Sequence, residues 1–124
     1  MTPPSILLCN YTEAEVKAWR FLLRQLPLLR ILTVKPSQFG CTLNELLETP
    51  ERTLNGTVPG FSGRMAVFCG AKGELLSSLI DVSRQVTREQ AHRATLTETN
   101  QQWTLNQLYG ELEKEAQQLM GRKK

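Results

Sequence analysis

The sequence has one histidine, His92, and one aspartate, Asp81. A histidine base must sit beside its nucleophile, and His92 falls inside a predicted strand, so no Ser–His or Cys–His pair is expected. The other carboxylates considered, Glu13, Glu15, Glu74, Glu111, Glu113 and Glu115, fall mostly on predicted helix surfaces rather than in a buried acid pair. There are three cysteines, Cys9, Cys41 and Cys69, with no CxxC pair and none near His92 in sequence, which speaks against a zinc site. Neither a metal nor a cofactor is expected. An odd thiol count in a chain without an export signal points to reduced cysteines. No apolar run reaches roughly 18 residues, so no membrane span is predicted. The N-terminus has neither a basic n-region nor a long apolar h-region, and a cytoplasmic location is expected.

Positive charge is in small excess. The net charge is +3, and much of it lies in the tail Arg122-Lys123-Lys124. Lys17, Arg20 and Arg24 share one helical face, which reads as a solvated face rather than a stripe for nucleic-acid phosphates.

At 124 residues the chain fits one domain and can bury a real core. Ser5 to Cys9 reads as a buried strand. Thr12 and Glu15 form a capping box that opens a helix, with Val16, Trp19, Leu22, Leu23 and Leu26 as its buried face and Pro27 as its end. Leu28 to Val34 is a second strand, and Thr42 with Glu45 caps a short helix through Leu47. Residues 48–63, rich in Gly, Pro, Thr and Ser, form a linker. Arg64 to Cys69 is a third strand, Glu74 to Thr87 a helix and Ala91 to Leu96 a fourth strand. Thr104 and Gln107 cap a last amphipathic helix.

The order repeats itself. Thr42-Leu43-Asn44-Glu45-Leu46-Leu47 recurs as Thr104-Leu105-Asn106-Gln107-Leu108-Tyr109, offset by 62 residues, and Ile6 to Asn10 aligns with Ala66 to Gly70 at an offset of 60. This predicts an α/β (α+β) domain made of a duplicated β-α-β-α unit, the halves spanning about 5–47 and 64–120. The favoured arrangement is ferredoxin-like, with a pseudo-two-fold axis between the first and third strands and those two strands central. The alternative is a small doubly wound parallel sheet.

Thr97-Glu98-Thr99-Asn100-Gln101-Gln102-Trp103-Thr104-Leu105, followed by Leu108, resembles a signature of the bacterial domain-of-unknown-function 3783 family (DUF3783). The resemblance is best over Met65 to Leu112. It implies a strand and helix joined to a polar Thr/Asn turn, Trp-Thr and an amphipathic helix. It implies no activity, and no catalytic residue carries over.

The candidate ligand site is the turn Thr99, Asn100, Trp103 and Thr104, where helix amides would meet an anion. Helix capping plus packing by Trp103 is the plainer reading. Gly70 and Lys72, in Cys69-Gly70-Ala71-Lys72-Gly73, stand where a phosphate loop would be but lack its spacing. Phe61 is read as a plug for the sheet edge or as a partner anchor. The expected function is a non-catalytic interaction or regulatory module, with a second copy of the chain (a homodimer) or another protein as the expected partner. The alternatives are small-anion (phosphate or nucleotide) binding at the strand-to-helix turns, and a thiol-dependent enzyme using Cys69 or Cys9.

Overall fold

A computed structural model describes residues 4–26, 28–51, 60–87 and 91–122, with side chains of the last helix through residue 118. Pro27, residues 52–59 of the 48–63 linker, residues 88–90 and the two chain ends therefore lie outside the described residues.

The chain forms two compact units. The first comprises residues 1–35 and 62–96, the second residues 36–61 and 97–124. The units do not follow the two sequence halves: each half gives a β-α-β segment to the first unit and a capped helix to the second.

In the first unit, β1 (Ser5–Cys9), β2 (Arg30–Val34), β3 (Arg64–Cys69) and β4 (Ala91–Thr95) form one sheet in the order β2-β1-β3-β4. The apolar strands β1 and β3 pair antiparallel at the centre, each buried along nearly its whole length. Strands buried on both faces read as continuous apolar runs rather than alternating ones. β2 and β4 carry Arg30, Thr33, His92 and Arg93, and they take the edges, each parallel to its central neighbour.

The central antiparallel pair agrees with an axis between the first and third strands, since Leu7 and Val67, 60 residues apart, face one another. Ile31 pairs with Ile6 as Arg93 pairs with Ala66, the central residues 60 and the edge residues 62 positions apart. The strand order differs from the ferredoxin-like expectation, which would exchange the edge strands. Here each edge strand stays beside the central strand of its own half. The crossovers α1 (Glu13–Leu22) and α3 (Gly73–Val86) explain this: a helix about 10 Å wide covers two strands about 4.8 Å apart, so a short crossover returns the chain next door. The antiparallel centre also rules out the doubly wound parallel sheet.

Both helices pack on one sheet face. Ile6, Leu8, Ala66 and Phe68 of the sheet meet Trp19, Leu23, Ala71 and Leu79 in one core. Fully burying such a side chain stabilises by about 1.5–3 kcal/mol. The opposite sheet face, Leu7, Cys9, Met65, Val67 and Cys69, is buried as well.

α1 is shorter than predicted. It ends at Leu22, and the chain beyond closes in tight turns, with Arg24 N donating to Phe21 O (3.3 Å), Leu26 N to Leu23 O (3.0 Å) and Leu29 N to Leu26 O (3.1 Å). Helical spacing is lost there. Leu23 turns inward, while Leu22 and Leu26, expected on the buried face, are exposed.

The second unit holds α2 (Leu43–Glu48), α4 (Leu105–Arg122) and a short 3-10 turn before each, Pro36–Gln38 and Asn100–Gln102. Thr42 and Thr104 form an antiparallel bridge, flanked by reciprocal bonds from Leu43 N to Trp103 O (3.0 Å) and Leu105 N to Cys41 O (3.3 Å). Phe39, Phe61 and Tyr109 stack face to face, with successive centroids 4.2 Å apart. Phe61 is thus half-buried between two rings.

Candidate functional site

The two strand-to-helix turns of the sheet unit share a left-handed residue. Asn10 (φ 65°) follows β1 and Gly70 (φ 72°) follows β3. Asparagine is among the few residues that adopt this conformation routinely. Asn10 also anchors the turn by donating from Nδ2 to Gly63 O at 3.0 Å.

After Asn10, Thr12 Oγ1 accepts from Glu15 N (3.2 Å) and Thr12 N donates to Glu15 Oε1 (2.9 Å), the reciprocal cap that the sequence predicts. Glu15 Oε1 also accepts from Arg64 Nε at 2.9 Å. Burial opposes ionisation of Glu15, but the Arg64 and Thr12 donors outweigh it and hold its carboxyl below the ordinary carboxylate range. After Gly70, Lys72 stands at the N-cap of α3 with no side-chain cap, and both Gly70 and Lys72 are exposed.

Thr99, Asn100, Trp103 and Thr104 belong to the other unit. Their polar groups close the turn on itself. Thr97 N donates to Asn100 Oδ1 (2.8 Å), and Asn100 N returns a bond to Thr97 Oγ1 (3.1 Å). Asn100 is buried. Trp103 N donates to Asn100 O (2.9 Å), and Thr104 Oγ1 caps α4 by accepting from Gln107 N (3.1 Å). Thr99 is exposed and Trp103 half-buried. Capping and turn closure account for the polar atoms of Thr104 and the Oδ1 of Asn100.

The cysteines are free and buried. Burial pushes the Cys9 and Cys69 thiols up to about 12. A nucleophilic cysteine needs the opposite shift, produced by nearby positive charge or a helix N-terminus. Among the described residues, no group of three or more His, Cys, Asp or Glu side chains could hold a metal ion.

Between α1 and the sheet, Tyr11 and Trp19 meet edge to face, 5.9 Å between centroids. The Tyr11 hydroxyl and the Trp19 indole N–H are buried without a hydrogen-bond partner. Burial raises the Tyr11 phenol to about 12, against the lowering pull of Arg93. Arg93 Nε donates to the buried Ser83 Oγ (2.7 Å), which in turn donates to Ile80 O (2.6 Å). This cluster ties β4 to α3 within the sheet unit.

One surface lies outside every site predicted from the sequence. Phe21 (62% exposed), Leu22 (37%), Leu26 (38%) and Leu28 (77%) are the large hydrophobic residues that stand exposed among the described ones, and all four fall within eight positions at the α1–β2 corner. Scattered exposed leucines need no explanation, but a contiguous apolar patch marks a contact site. The Arg24 guanidinium lies over the Phe21 ring, 4.1 Å from its centroid, and donates from Nη1 to Phe21 O at 2.7 Å. The sequence does hold a signal for this corner: Leu26-Pro27-Leu28-Leu29 continues the apolar run past the point where Pro27 forbids helix.

The fold defines a small α/β scaffold whose sheet unit carries two β-α-β segments, and among the described residues no helix is long and apolar enough to cross a membrane. Residues 64–119, a little under half of the chain, match the family described as a domain of unknown function (DUF3783), and that segment belongs to it. No curated protein and no solved structure matches the chain.

Proposed function

We propose that the protein is a non-catalytic interaction module of a bacterial cytoplasm, and that it docks a partner protein through the α1–β2 corner. The observation that carries this reading is the concentration of Phe21, Leu22, Leu26 and Leu28 in one exposed stretch of an otherwise well-buried unit. Four such side chains expose on the order of 300 Å² of apolar surface, the size of a typical functional patch on a monomer. The buried, high-pKa thiols Cys9 and Cys69 favour a binding role over thiol catalysis. The matching registers of the two β-α-β segments support reading the scaffold as an internal duplication, with Phe21 as a feature of the first copy alone: the N-caps Thr12 and Lys72 stand 60 residues apart, and the position 60 residues after Phe21 is Asp81, exposed and charged.

The test is the paired variant Phe21→Ser/Leu28→Ser. Both side chains are exposed, so the melting temperature should stay within a few degrees. Polypeptides retained by the immobilised wild-type chain from its own cell extract should be lost by this variant and kept by Gln85→Ser, a change at an exposed position of α3. Equal retention by the corner variant and the wild type would refute the docking surface.

A further inference from the structure

We infer that the occupant of the α1–β2 corner is an acidic, apolar segment of a different protein, its leucine- or phenylalanine-type anchors flanked by Asp or Glu. This rests on the docking reading above and adds the chemistry of the partner.

The argument is one of charge. Lys17, Arg20 and Arg24 are all exposed; Lys17 lies four positions before Phe21 on the same helix face, and Arg24, beyond the end of α1, stands over the Phe21 ring. Among the described residues no carboxylate forms an ion pair with any of the three. Glu15, the acid of the first turn that turns inward, is already held by Arg64. The corner therefore presents apolar surface inside an uncompensated basic rim.

Arg24 sharpens the specificity. Its guanidinium is held over the Phe21 ring and bonded to the Phe21 carbonyl. A guanidinium held this way keeps edge donors for a carboxylate, and its order is established before binding. Arginine and aromatic residues together are what protein interfaces enrich at their centres.

The same charges disfavour a second copy of this chain docking corner to corner. An isologous pairing sets each patch against its own image, so three cations would face three cations. An anionic lipid surface would meet the same basic rim, and crosslinking to lipid is the outcome that separates it from a protein segment.

The experiment places a photo-crosslinking amino acid at position 28 of the full chain, in the cells that naturally make it, and sequences the crosslinked segment. The expected product is a heterologous polypeptide segment with at least two acidic residues within about one helical turn of its apolar anchors. Arg20→Glu/Arg24→Glu should lower the yield about tenfold or more, since rim and buried charge pairs govern both encounter and lifetime. Arg84→Glu, a charge change on the exposed face of α3, should leave it unchanged. Arg20→Gln/Arg24→Gln, which spares the fold any like-charge strain, should give an intermediate loss. A crosslinked segment without acidic residues, a yield indifferent to the arginine variants, or crosslinking to lipid or to a second copy overturns the inference. A non-acidic heterologous segment overturns it while leaving the docking reading intact; no crosslink to any polypeptide overturns both.

Discussion

The two left-handed turns give a prediction that joins sequence to energy. Gly70 (φ 72°) and Asn10 (φ 65°) do the same work at the ends of β3 and β1. A Cβ built on Gly70 would lie 3.5 Å from Pro4 Cα, an ordinary contact. The cost of a side chain there is therefore conformational rather than steric. Gly70→Ala should destabilise by about 1–2 kcal/mol, the left-handed penalty for an L-residue. Gly70→Asn should cost about 1 kcal/mol or less, because asparagine tolerates the conformation. At position 10 the terms divide differently. Asn10→Ala forfeits the Nδ2–Gly63 O bond, about 1 kcal/mol, and adds about 1 kcal/mol of left-handed strain. Asn10→Gly loses the bond but relieves the strain, with a small cost from the greater conformational entropy of the unfolded chain. The expected order is Asn10→Ala worse than Asn10→Gly, and Gly70→Ala worse than Gly70→Asn. Urea unfolding followed by the fluorescence of Trp19, fully buried in the same unit, in a Trp103→Phe background would measure it. If Gly70→Asn costs as much as Gly70→Ala, or Asn10→Gly as much as Asn10→Ala, backbone conformation is not what selects these residues.

Other predictions follow from the same structure. Glu15 has a depressed folded-state pKa, so the stability it confers is present above its unfolded value of 4.5 and is lost as pH falls through the lower folded value. Urea midpoints for wild type and Glu15→Gln should therefore converge below pH 4.5 and separate above it. Cys9 and Cys69 should resist iodoacetamide in the native protein at pH 8 and react on addition of urea, because their thiols are buried and held protonated; fast native labelling of either would contradict this. Thr42→Ala removes a cap and should cost about 1 kcal/mol by urea unfolding. Leu79→Ala, at a fully buried helix position, should cost about 2–5 kcal/mol.

Much of the scaffold was legible in the sequence because local chemistry encodes it. The capping boxes at Thr12 and Thr42 are spelled out by Thr and Glu three residues apart, and both form. The continuous apolar runs of β1 and β3 announced their central place. The end of α1 was not legible. Val16, Trp19 and Leu23 keep helical spacing, and nothing in that pattern says that the helix stops at Leu22 and releases Leu26. The turn at Thr97–Trp103 was readable as polar, but only its bonds show Asn100 Oδ1 turned onto the Thr97 amide. The corner was missed because Leu22 and Leu26 keep the spacing of a buried helix face and Leu28 reads as the start of a strand, and such residues read as core until the path of the chain is known.

The sequence by itself determined which segments are strand, helix and cap, since propensity, periodicity and capping act over a few residues. Only the tertiary structure decided that each half divides between two compact units, that the edge strands stay beside their own partners, and that four apolar side chains face outward. Those outcomes depend on where distant segments close on one another, and no local pattern carries that information.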